Sequence, residues 1–324
     1  MPTTQQLNFR DPVSGRIDSA MPLIDGGALF RGEWPLTVQA ANTACAEYGF
    51  LCLQLEPRSC SALDAVIAAM RRFAAQDDAR KSACRSTDGG HGWSPPYQEP
   101  AYQPGTVSNV ESFDIARSSI VSPQSVAWPR TRGFRHAVEA CWHEYLRIGD
   151  AVLELLARAV GIAPDFFVAN CGSRELNTFR LLHYPGSPAE PTERDVGIAA
   201  HTDFECITLL YQTAPGLELR RPDGRWIDAP TAPGTMIVLL DDMLENWTNG
   251  RLCATGHRVR RTRDERYSVV MFFAVDDDVT VSPLPGFVTH ETPARYAAER
   301  QAGHIAREMQ RARRQRDDLP AAVT

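Results

Sequence analysis

Three residues in the second half of the chain have side chains that bind metals. His201 and Asp203 are one residue apart at the head of an apolar stretch, AAHTDFECITLLYQ, and His257 follows in ATGHRVRR. If the first stretch is a strand, successive side chains alternate, so His201 and Asp203 share one face. Burying an imidazole beside a carboxylate is costly unless a partner satisfies both groups. A divalent metal is one such partner, and a salt bridge or an ordinary hydrogen bond is the alternative.

Two histidines and one carboxylate on separate strands can occupy one face of an octahedral metal. The opposite face then stays open, as in mononuclear iron(II) oxygenases, where the open positions take a co-substrate and dioxygen. An H-x-D pattern alone arises often by chance, and a lone histidine such as His257 is more typical of a hydrogen-bonded structural residue. The metal hypothesis therefore needs a further signal.

Arg266 and Ser268 supply that signal in the segment ERYSVVMFF. On a strand they share a face, and an arginine fork beside a hydroxyl suits a carboxylate group. The apolar run that follows predicts a core strand, and an arginine buried there requires an anion. An internal pair with Asp or Glu would also satisfy Arg266. The order H-x-D, distant His, then R-x-S is much harder to reach by chance than any single piece.

The elements that must position these residues are strands. From about Leu176 onward, short strand-like runs are separated by turn signals such as APG, PDG and TNG, with no helical pattern between them. This pattern favours a sandwich or barrel over a parallel α/β sheet. A long amphipathic helix is predicted around residues 131–160, outside the sheets. A second helix is predicted from Ser61, as its cap, to about residue 83, and a third from about Pro293 to Arg316. The arginines of this last helix favour a solvated face over a binding patch.

Composition bounds the function without identifying it. The chain has 324 residues, 43% of them hydrophobic and 23% charged, with a net charge of −6. These values predict a globular protein and offer no electrostatic case for a nucleic acid or an anionic membrane as partner. No apolar run approaches the ~20 residues that cross a bilayer, and the N-terminus lacks a signal-peptide pattern. The eight cysteines form no C-x-x-C pair, which argues against a zinc or redox motif. Because they are spread through apolar segments and no export signal is found, they predict reduced, mostly buried thiols in a cytoplasmic protein.

With these motifs in place, the chain resembles a known family, the isopenicillin N synthase-like branch of the iron(II)/2-oxoglutarate-dependent dioxygenases. The resemblance is strong over residues 176–288 and rests on LLHYPG, GIAAHTDFECITLLYQ, the segment PGLELRRPDGRWIDAP through ATGHRV, and RYSVVMFFAVDDDVTVSPLP. ACAEYGFLCLQL and ESFDI carry a weaker likeness. The family implies a mainly β fold with flanking helices around a double-stranded β-helix, a distorted, cupin-like jelly roll. It divides one compact unit into an N-terminal region (1–120), a catalytic core (121–292) and a C-terminal helix (293–324).

The resemblance also implies roles for individual residues. His201, Asp203 and His257 are expected to hold Fe(II). Arg266 and Ser268 are expected to bind the distal carboxylate of 2-oxoglutarate, with Tyr184 nearby. Two departures from the family pattern are Leu182, where an asparagine is frequent, and Gly256, where a proline is usual; the second is tolerated in a turn and does not remove a ligand.

The implied reaction uses Fe(II), 2-oxoglutarate and O2 to oxidise an unactivated C–H bond, releasing succinate and CO2. Hydroxylation, desaturation, cyclisation and ring expansion are all open outcomes. The expected substrate is a small molecule, a specialised metabolite or amino-acid derivative, handled by a monomer without nucleic-acid or membrane partners. Two alternatives stay open: an isopenicillin N synthase-like oxidase that uses no 2-oxoglutarate, and a non-catalytic small-molecule-binding β-sandwich.

Substrate contacts are the least constrained prediction. The Gly-, Pro- and aromatic-rich stretch 86–110 is expected to help cover the pocket, with Trp93 and Tyr97 as candidate contacts alongside His91 and Tyr102. Arg180 is a further candidate for holding a substrate carboxylate, with an internal salt bridge as the alternative. Phe204 is assigned to the core, because strand alternation turns it away from His201 and Asp203.

Overall fold

The computed structural model describes residues 6–10, 17–86, 90–99, 102–103, 106–187 and 195–317. The strands there are β1 (Gln6–Arg10), β2 (Ile17–Pro22), β3 (Ile24–Asp25), β4 (Phe50–Gln54), β5 (Gly92–Ser94), β6 (Val107–Ser108), β7 (Glu111–Ala116), β8 (Thr178–Tyr184), β9 (Asp195–His201), β10 (Ile207–Gln212), β11 (Leu217–Arg220), β12 (Trp226–Asp228), β13 (Thr235–Leu240), β14 (His257–Arg260), β15 (Arg266–Phe273), β16 (Thr280–Val281) and β17 (Glu299–Arg300). The α-helices are α1 (Gly26–Phe30), α2 (Trp34–Glu47), α3 (Pro57–Ala74), α4 (Asp78–Lys81), α5 (Arg117–Val121), α6 (Phe134–Val160), α7 (Phe166–Asn170), α8 (Asp242–Trp247) and α9 (Gln301–Asp317).

Two sheets form the centre of the molecule. The larger has eight strands in the order β3-β4-β13-β10-β15-β8-β7-β5, and the smaller has five in the order β12-β11-β14-β9-β6. Nearly all pairs are antiparallel, the exceptions being β3 with β4 and β6 with β9. The predicted β-core is therefore correct. The N-terminal strand β4 pairs with β13 of the core, so the first region of the chain is built into the same sheet.

The helix α6 supports the outer face of the large sheet, as predicted. Its residues repeat apolar side chains at three- and four-residue spacing, and the buried stripe includes Trp142, Tyr145 and Leu153. The Tyr145 hydroxyl donates a hydrogen bond to the carbonyl oxygen of Val269 in β15 (3.0 Å). The helix is thereby joined to the strand that carries Arg266.

Three predictions about helices were wrong in detail. The second helix begins at Pro57 rather than at a Ser61 cap; Ser61 lies inside it and donates to the carbonyl oxygen of Pro57. A proline at the first helical position is a strong start signal because its missing N–H needs no partner there. The C-terminal helix begins at Gln301, since the residues before it form β17, which pairs with β16. A short helix, α8, also interrupts the strand-rich half.

All eight cysteines are free thiols, as the sequence predicted. A helix long and apolar enough to cross a membrane does not occur among the described residues.

Candidate metal centre and anion-binding pocket

The pairing of β9 with β14 brings the two candidate histidines together. His201 is the last residue of β9 and His257 the first of β14, and the two are direct cross-strand partners. Their ring centroids are 4.2 Å apart. Cross-strand neighbours in an antiparallel pair are held within a few ångströms by the backbone ladder itself. The sheet therefore fixes the backbone positions from which both imidazoles project.

Asp203 completes the cluster from a turn. Its Oδ1 atom lies 3.5 Å from His201 Nε2 and 3.6 Å from His257 Nε2. One ligand atom from each residue can be chosen so that all three lie within 4.8 Å of one another. The sequence-based expectation that Asp203 shares a strand face with His201 was wrong, because β9 ends at His201 and β10 begins only at Ile207. The turn nevertheless places the carboxylate of Asp203 beside the Nε2 atoms of both histidines.

The hydrogen bonds of the two imidazoles leave their Nε2 atoms available. His201 Nδ1 lies 2.8 Å from the carbonyl oxygen of Ala199, and His257 Nδ1 lies 3.1 Å from that of Thr255. A carbonyl can only accept, so each Nδ1 carries the proton and each Nε2 offers a lone pair. This orientation of a histidine by a backbone carbonyl is typical of metal ligands.

The protonation states also suit a metal. Burial lowers the pKa of His257 to about 4, which keeps the imidazole neutral near pH 7. Burial alone would raise the pKa of Asp203, but the neighbouring His257 and His201 outweigh it and hold the pKa at about 2. Asp203 Oδ2 is buried without a hydrogen-bond partner in the described part of the chain. A neutral His257 and an ionised, under-satisfied Asp203, with the imidazole of His201 beside them, form a donor set that a divalent iron accepts.

Arg266 lies on the inner face of the large sheet and is fully buried. Its Nη2 donates to Gln212 Oε1 (2.9 Å) and its Nε lies 3.3 Å from the carbonyl oxygen of Ala214. Its guanidinium carbon stacks 4.5 Å from the ring centre of Tyr184. No carboxylate lies within 4 Å of Arg266 in the described residues, so the internal Arg–Asp or Arg–Glu pair is not what the structure contains.

Two buried polar atoms on the same face of β15 lack partners among the described residues. Arg266 Nη1 and Ser268 Oγ have no hydrogen-bond partner within the described residues, although both residues are fully buried. Burial lowers the pKa of Arg266, which reflects the cost of keeping an uncompensated cation out of water. Native proteins rarely leave such groups unsatisfied. A carboxylate of a bound small molecule would satisfy both, so the residues fit the distal end of 2-oxoglutarate.

The metal cluster and the pair formed by Arg266 and Ser268 face the same cavity, which has a volume of about 200 Å³ and lies between the sheets. Its lining includes the metal cluster, the anion-binding pair and a larger set of surrounding residues: Gly90, His91, Tyr102, Asp114, Thr178, Arg180, Leu182, Tyr184, Ile198, Phe204, Glu205, Thr208, Leu210, Leu217, Val259, Val270, Phe272, Ile305 and Met309. The structure thus brings every residue predicted to hold the metal or the co-substrate to a single volume.

Arg180 lines this cavity but is already paired. It donates to Asp114 through Nε and Nη2 and to Glu99 through Nη1, at 2.8 to 3.2 Å. Burial alone would lower the pKa of Arg180, but the two carboxylates outweigh that effect and raise it well above its usual value. The internal salt bridge, weighed as the alternative to a substrate contact, is therefore present.

Two predicted substrate contacts do not reach the cavity. Trp93 is 2% exposed, packs in the core and donates its indole N–H to Glu111 (2.8 Å). Tyr97 is 45% exposed and stands in a left-handed backbone conformation away from the lining. Neither side chain therefore lines the cavity, because Trp93 lies in β5, which pairs with β7, and Tyr97 turns toward solvent.

Other residues of the same region do reach the site. His91 lines the cavity, and Tyr102 stacks face to face on His201, with ring centroids 4.1 Å apart. Phe204, assigned to the core from strand alternation, also lines the cavity. That assignment was wrong because Phe204 lies in the turn after β9, where a period of two no longer applies.

Among the lining or supporting residues that were missed, three matter most for the site. Gln212 holds Arg266, but only the strand register, which places Gln212 opposite Ser268, reveals this. Ile305 and Met309 lie in α9, and for these two residues the sequence does contain a signal that could have predicted a buried contact. They are the two large apolar residues of an otherwise polar helix, spaced four apart on one face.

Comparison with known proteins agrees with this site. A family model described as the 2OG-Fe(II) oxygenase superfamily matches residues 176–275. A second model, described as the N-terminal region of the non-haem dioxygenase in morphine synthesis, matches residues 21–150. A 2-oxoglutarate-dependent dioxygenase, citB, of Monascus ruber is 31% identical over 268 residues, which cover 76% of this chain and 81% of that protein.

Two solved structures share the fold. A 2OG-Fe(II) oxygenase family protein from Caulobacter crescentus matches with a TM-score of 0.79 and 25% identity, over 91% of this chain and 99% of that one. A full-length protein of Neurospora crassa, solved in complex with alpha-KG, matches with a TM-score of 0.79 and 24% identity, over 90% and 96% of the two chains. The chain therefore belongs to the iron(II)- and 2-oxoglutarate-dependent oxygenase superfamily.

Proposed function

We propose that this dioxygenase oxidises a C–H bond of a small organic substrate in the cavity between its two sheets. His201, Asp203 and His257 hold Fe(II), and Arg266 with Ser268 binds the distal carboxylate of 2-oxoglutarate. Gln212 and Tyr184 keep the Arg266 guanidinium in place. The observation that carries this assignment is the pair of buried, unpartnered atoms, Arg266 Nη1 and Ser268 Oγ, which line the same cavity as the metal cluster.

When bound, the iron supplies the activation of dioxygen, coupled to conversion of 2-oxoglutarate to succinate and CO2. The chain's own residues bind, orient and exclude water. The backbone carbonyls of Ala199 and Thr255 keep both imidazoles in the tautomer that ligates through Nε2. Tyr102 covers one face of His201. The apolar side chains Val270 and Phe272 line the same cavity, which keeps competing water away from the reacting carbon.

The substrate is a specialised metabolite or amino-acid derivative of modest size, since a cavity of about 200 Å³ must also hold part of the co-substrate. Among the similar structures, one of the Neurospora protein contains thymine beside alpha-KG, which supports a small-molecule substrate class. The monomeric state and the cytoplasmic location stay predictions.

The test is a screen of the purified chain with Fe(II), ascorbate and O2. Succinate release is measured with and without 2-oxoglutarate, across a panel of amino-acid derivatives and other small metabolites. Mass spectrometry then detects products that have gained oxygen or lost two hydrogens. We expect succinate release that depends on 2-oxoglutarate and rises with one class of compound.

Matched histidine variants localise the reaction. His257→Ala should abolish succinate release, whereas the same change at the exposed His290 should leave it intact. Full activity of His257→Ala would refute the ligand assignment. Turnover without 2-oxoglutarate would instead favour the isopenicillin N synthase-like alternative, in which Arg266 and Ser268 bind the main substrate.

A further inference from the structure

Strand β15 lines the cavity along one side, and its residues define two ends of the cavity. Arg266 and Phe272 lie on the same face of β15 at its two ends, six residues and therefore roughly 20 Å apart. Across the sheet, Arg266 pairs with Tyr184 and Phe272 pairs with Thr178. The Arg266 end carries the unpartnered polar atoms, so we expect the co-substrate to bind at that end. The Phe272 end is left for the substrate.

The C-terminal helix α9 is fixed at the Phe272 end. Gln301 is fully buried; its Nε2 donates to the carbonyl oxygen of Phe204 (2.8 Å), and its Oε1 accepts from the backbone N–H of Val275 (3.1 Å). One turn later, His304 Nε2 lies 2.8 Å from Asp242 Oδ2. These contacts join the start of α9 to the turn after His201 and to the end of β15.

The next inward residues of α9 are apolar and face the cavity. Ile305 and Met309 both line it, whereas Glu308 and Arg311 do not and line a neighbouring groove instead. Phe204 and Phe272 line the same end. Arg180, which also lines the cavity, is already paired with two carboxylates. The apolar side chains at this end therefore offer van der Waals contact.

We infer that Ile305 and Met309 are specificity-determining residues, which contact a hydrocarbon or aromatic part of the substrate while α9 closes the substrate end of the cavity. This inference rests on the proposed function. It assigns the C-terminal helix a direct role in substrate choice, and it predicts that the helix does not affect the co-substrate.

The experiment compares Ile305→Ala and Met309→Ala with Gln310→Ala, a matched change on the exposed side of the same helix. The probe is the compound that the wild-type screen turns over, with a homologous series that varies its apolar part. We expect kcat/KM for that compound to fall about tenfold or more, mainly through KM, as for lost apolar contacts in a binding pocket. The dissociation constant of 2-oxoglutarate, measured anaerobically by calorimetry, should change less than about twofold, and Gln310→Ala should behave as wild type. Met309→Trp should shift preference toward members with a smaller apolar group.

Hydrogen exchange separates contact from simple unfolding of α9. In wild type, the probe should increase amide protection over residues 301–314, and Met309→Leu, which conserves volume, should keep that protection. Unchanged kcat/KM and selectivity in every Ile305 and Met309 variant, or no gain in protection, would overturn the inference while leaving the proposed function intact. A wild-type chain that releases no succinate from 2-oxoglutarate would overturn the proposed function itself.

Discussion

At the scale of single residues, the site is defined by groups that the protein leaves unsatisfied. Arg266 is wholly buried, yet its neighbours are an amide, a carbonyl and an aromatic ring rather than a carboxylate. A buried cation without an anion is unfavourable in the free protein. Binding a carboxylate removes that penalty, so part of the co-substrate affinity comes from relieving it.

Substituting Arg266 therefore tests the co-substrate assignment directly. Losing one partner of a desolvated, hydrogen-bonded ion pair costs roughly 2–5 kcal/mol, or about 30- to several-thousand-fold in affinity. We expect Arg266→Ala to raise the KM for 2-oxoglutarate by that factor while iron binding survives. Arg266→Lys should recover only part, because an ammonium cannot reproduce the fork. Ser268→Ala should cost less, about 0.5–3 kcal/mol.

Kinetics of O2 consumption against 2-oxoglutarate concentration give these values, with the exposed Arg130→Ala as control. An Arg266→Ala enzyme with an ordinary KM for 2-oxoglutarate and a weakened main substrate would show that the pair binds the substrate instead.

At the scale of elements, the sequence predicted whether a segment is a helix or a strand better than it predicted which elements lie next to each other. The strands after residue 176 and the helix α6 follow from periodicity, because one face of each is buried in a regular way. The order of strands in the sheets does not follow from it, so Gln212 beside Arg266 could not be predicted. The ends of elements were the other weak point. Phe204 was misplaced because alternation was extended past the end of β9, and Trp93 because a short strand was taken for a covering loop.

The contact between α6 and β15 offers a packing test. A Cβ atom at Gly149 would lie 2.0 Å from Cζ of the Phe273 ring, which is itself fully buried. Gly149→Ala should therefore destabilise the protein by about 1–3 kcal/mol through overpacking, despite the better helix propensity of alanine. Urea unfolding measures the change.

Gly303→Ala is the matched control for that test, since nothing lies within 4 Å of a Cβ there and the site is helical. It should be neutral or stabilising by about 0.5–1 kcal/mol. Equal effects of the two substitutions would contradict the tight contact.

The docking of α9 should also depend on pH. Burial lowers the pKa of His304, but the hydrogen bond and charge of Asp242, with the charge of Glu299, outweigh both burial and the repulsion of Arg307, so the net shift is upward. A pKa raised on folding stabilises the docked helix below the ordinary histidine pKa of about 6.5, and that contribution is lost as pH rises through the folded value.

Amide protection over residues 301–314, corrected for intrinsic exchange, should accordingly fall as the solution becomes alkaline. His304→Gln should remove most of this dependence. Protection that changes equally with pH in both proteins would show that another group is responsible.

At the scale of the whole molecule, metal binding should couple to stability. The three ligands converge only in the folded chain, so a metal that binds this state stabilises it by about 2.7 kcal/mol at a hundredfold excess over its Kd. Mn(II), or Fe(II) under anaerobic conditions, should raise Tm by on the order of 5 °C. Scanning calorimetry with and without metal measures the shift. The shift should disappear in His257→Ala and persist in His290→Ala, and a persisting shift in the former would place the metal elsewhere.

The direct pairing of His201 with His257 also determines when, during synthesis of the chain, the metal site can form. The chain between these residues must be synthesised before the third ligand exists, which takes on the order of 3–11 s at 5–20 residues per second. Until β14 emerges from the ribosome, His201 and Asp203 supply only two of the three ligands. Metallation is thus expected to follow the pairing of β14 with β9, and the supply of iron should govern both how much enzyme is active and how stable the folded chain is.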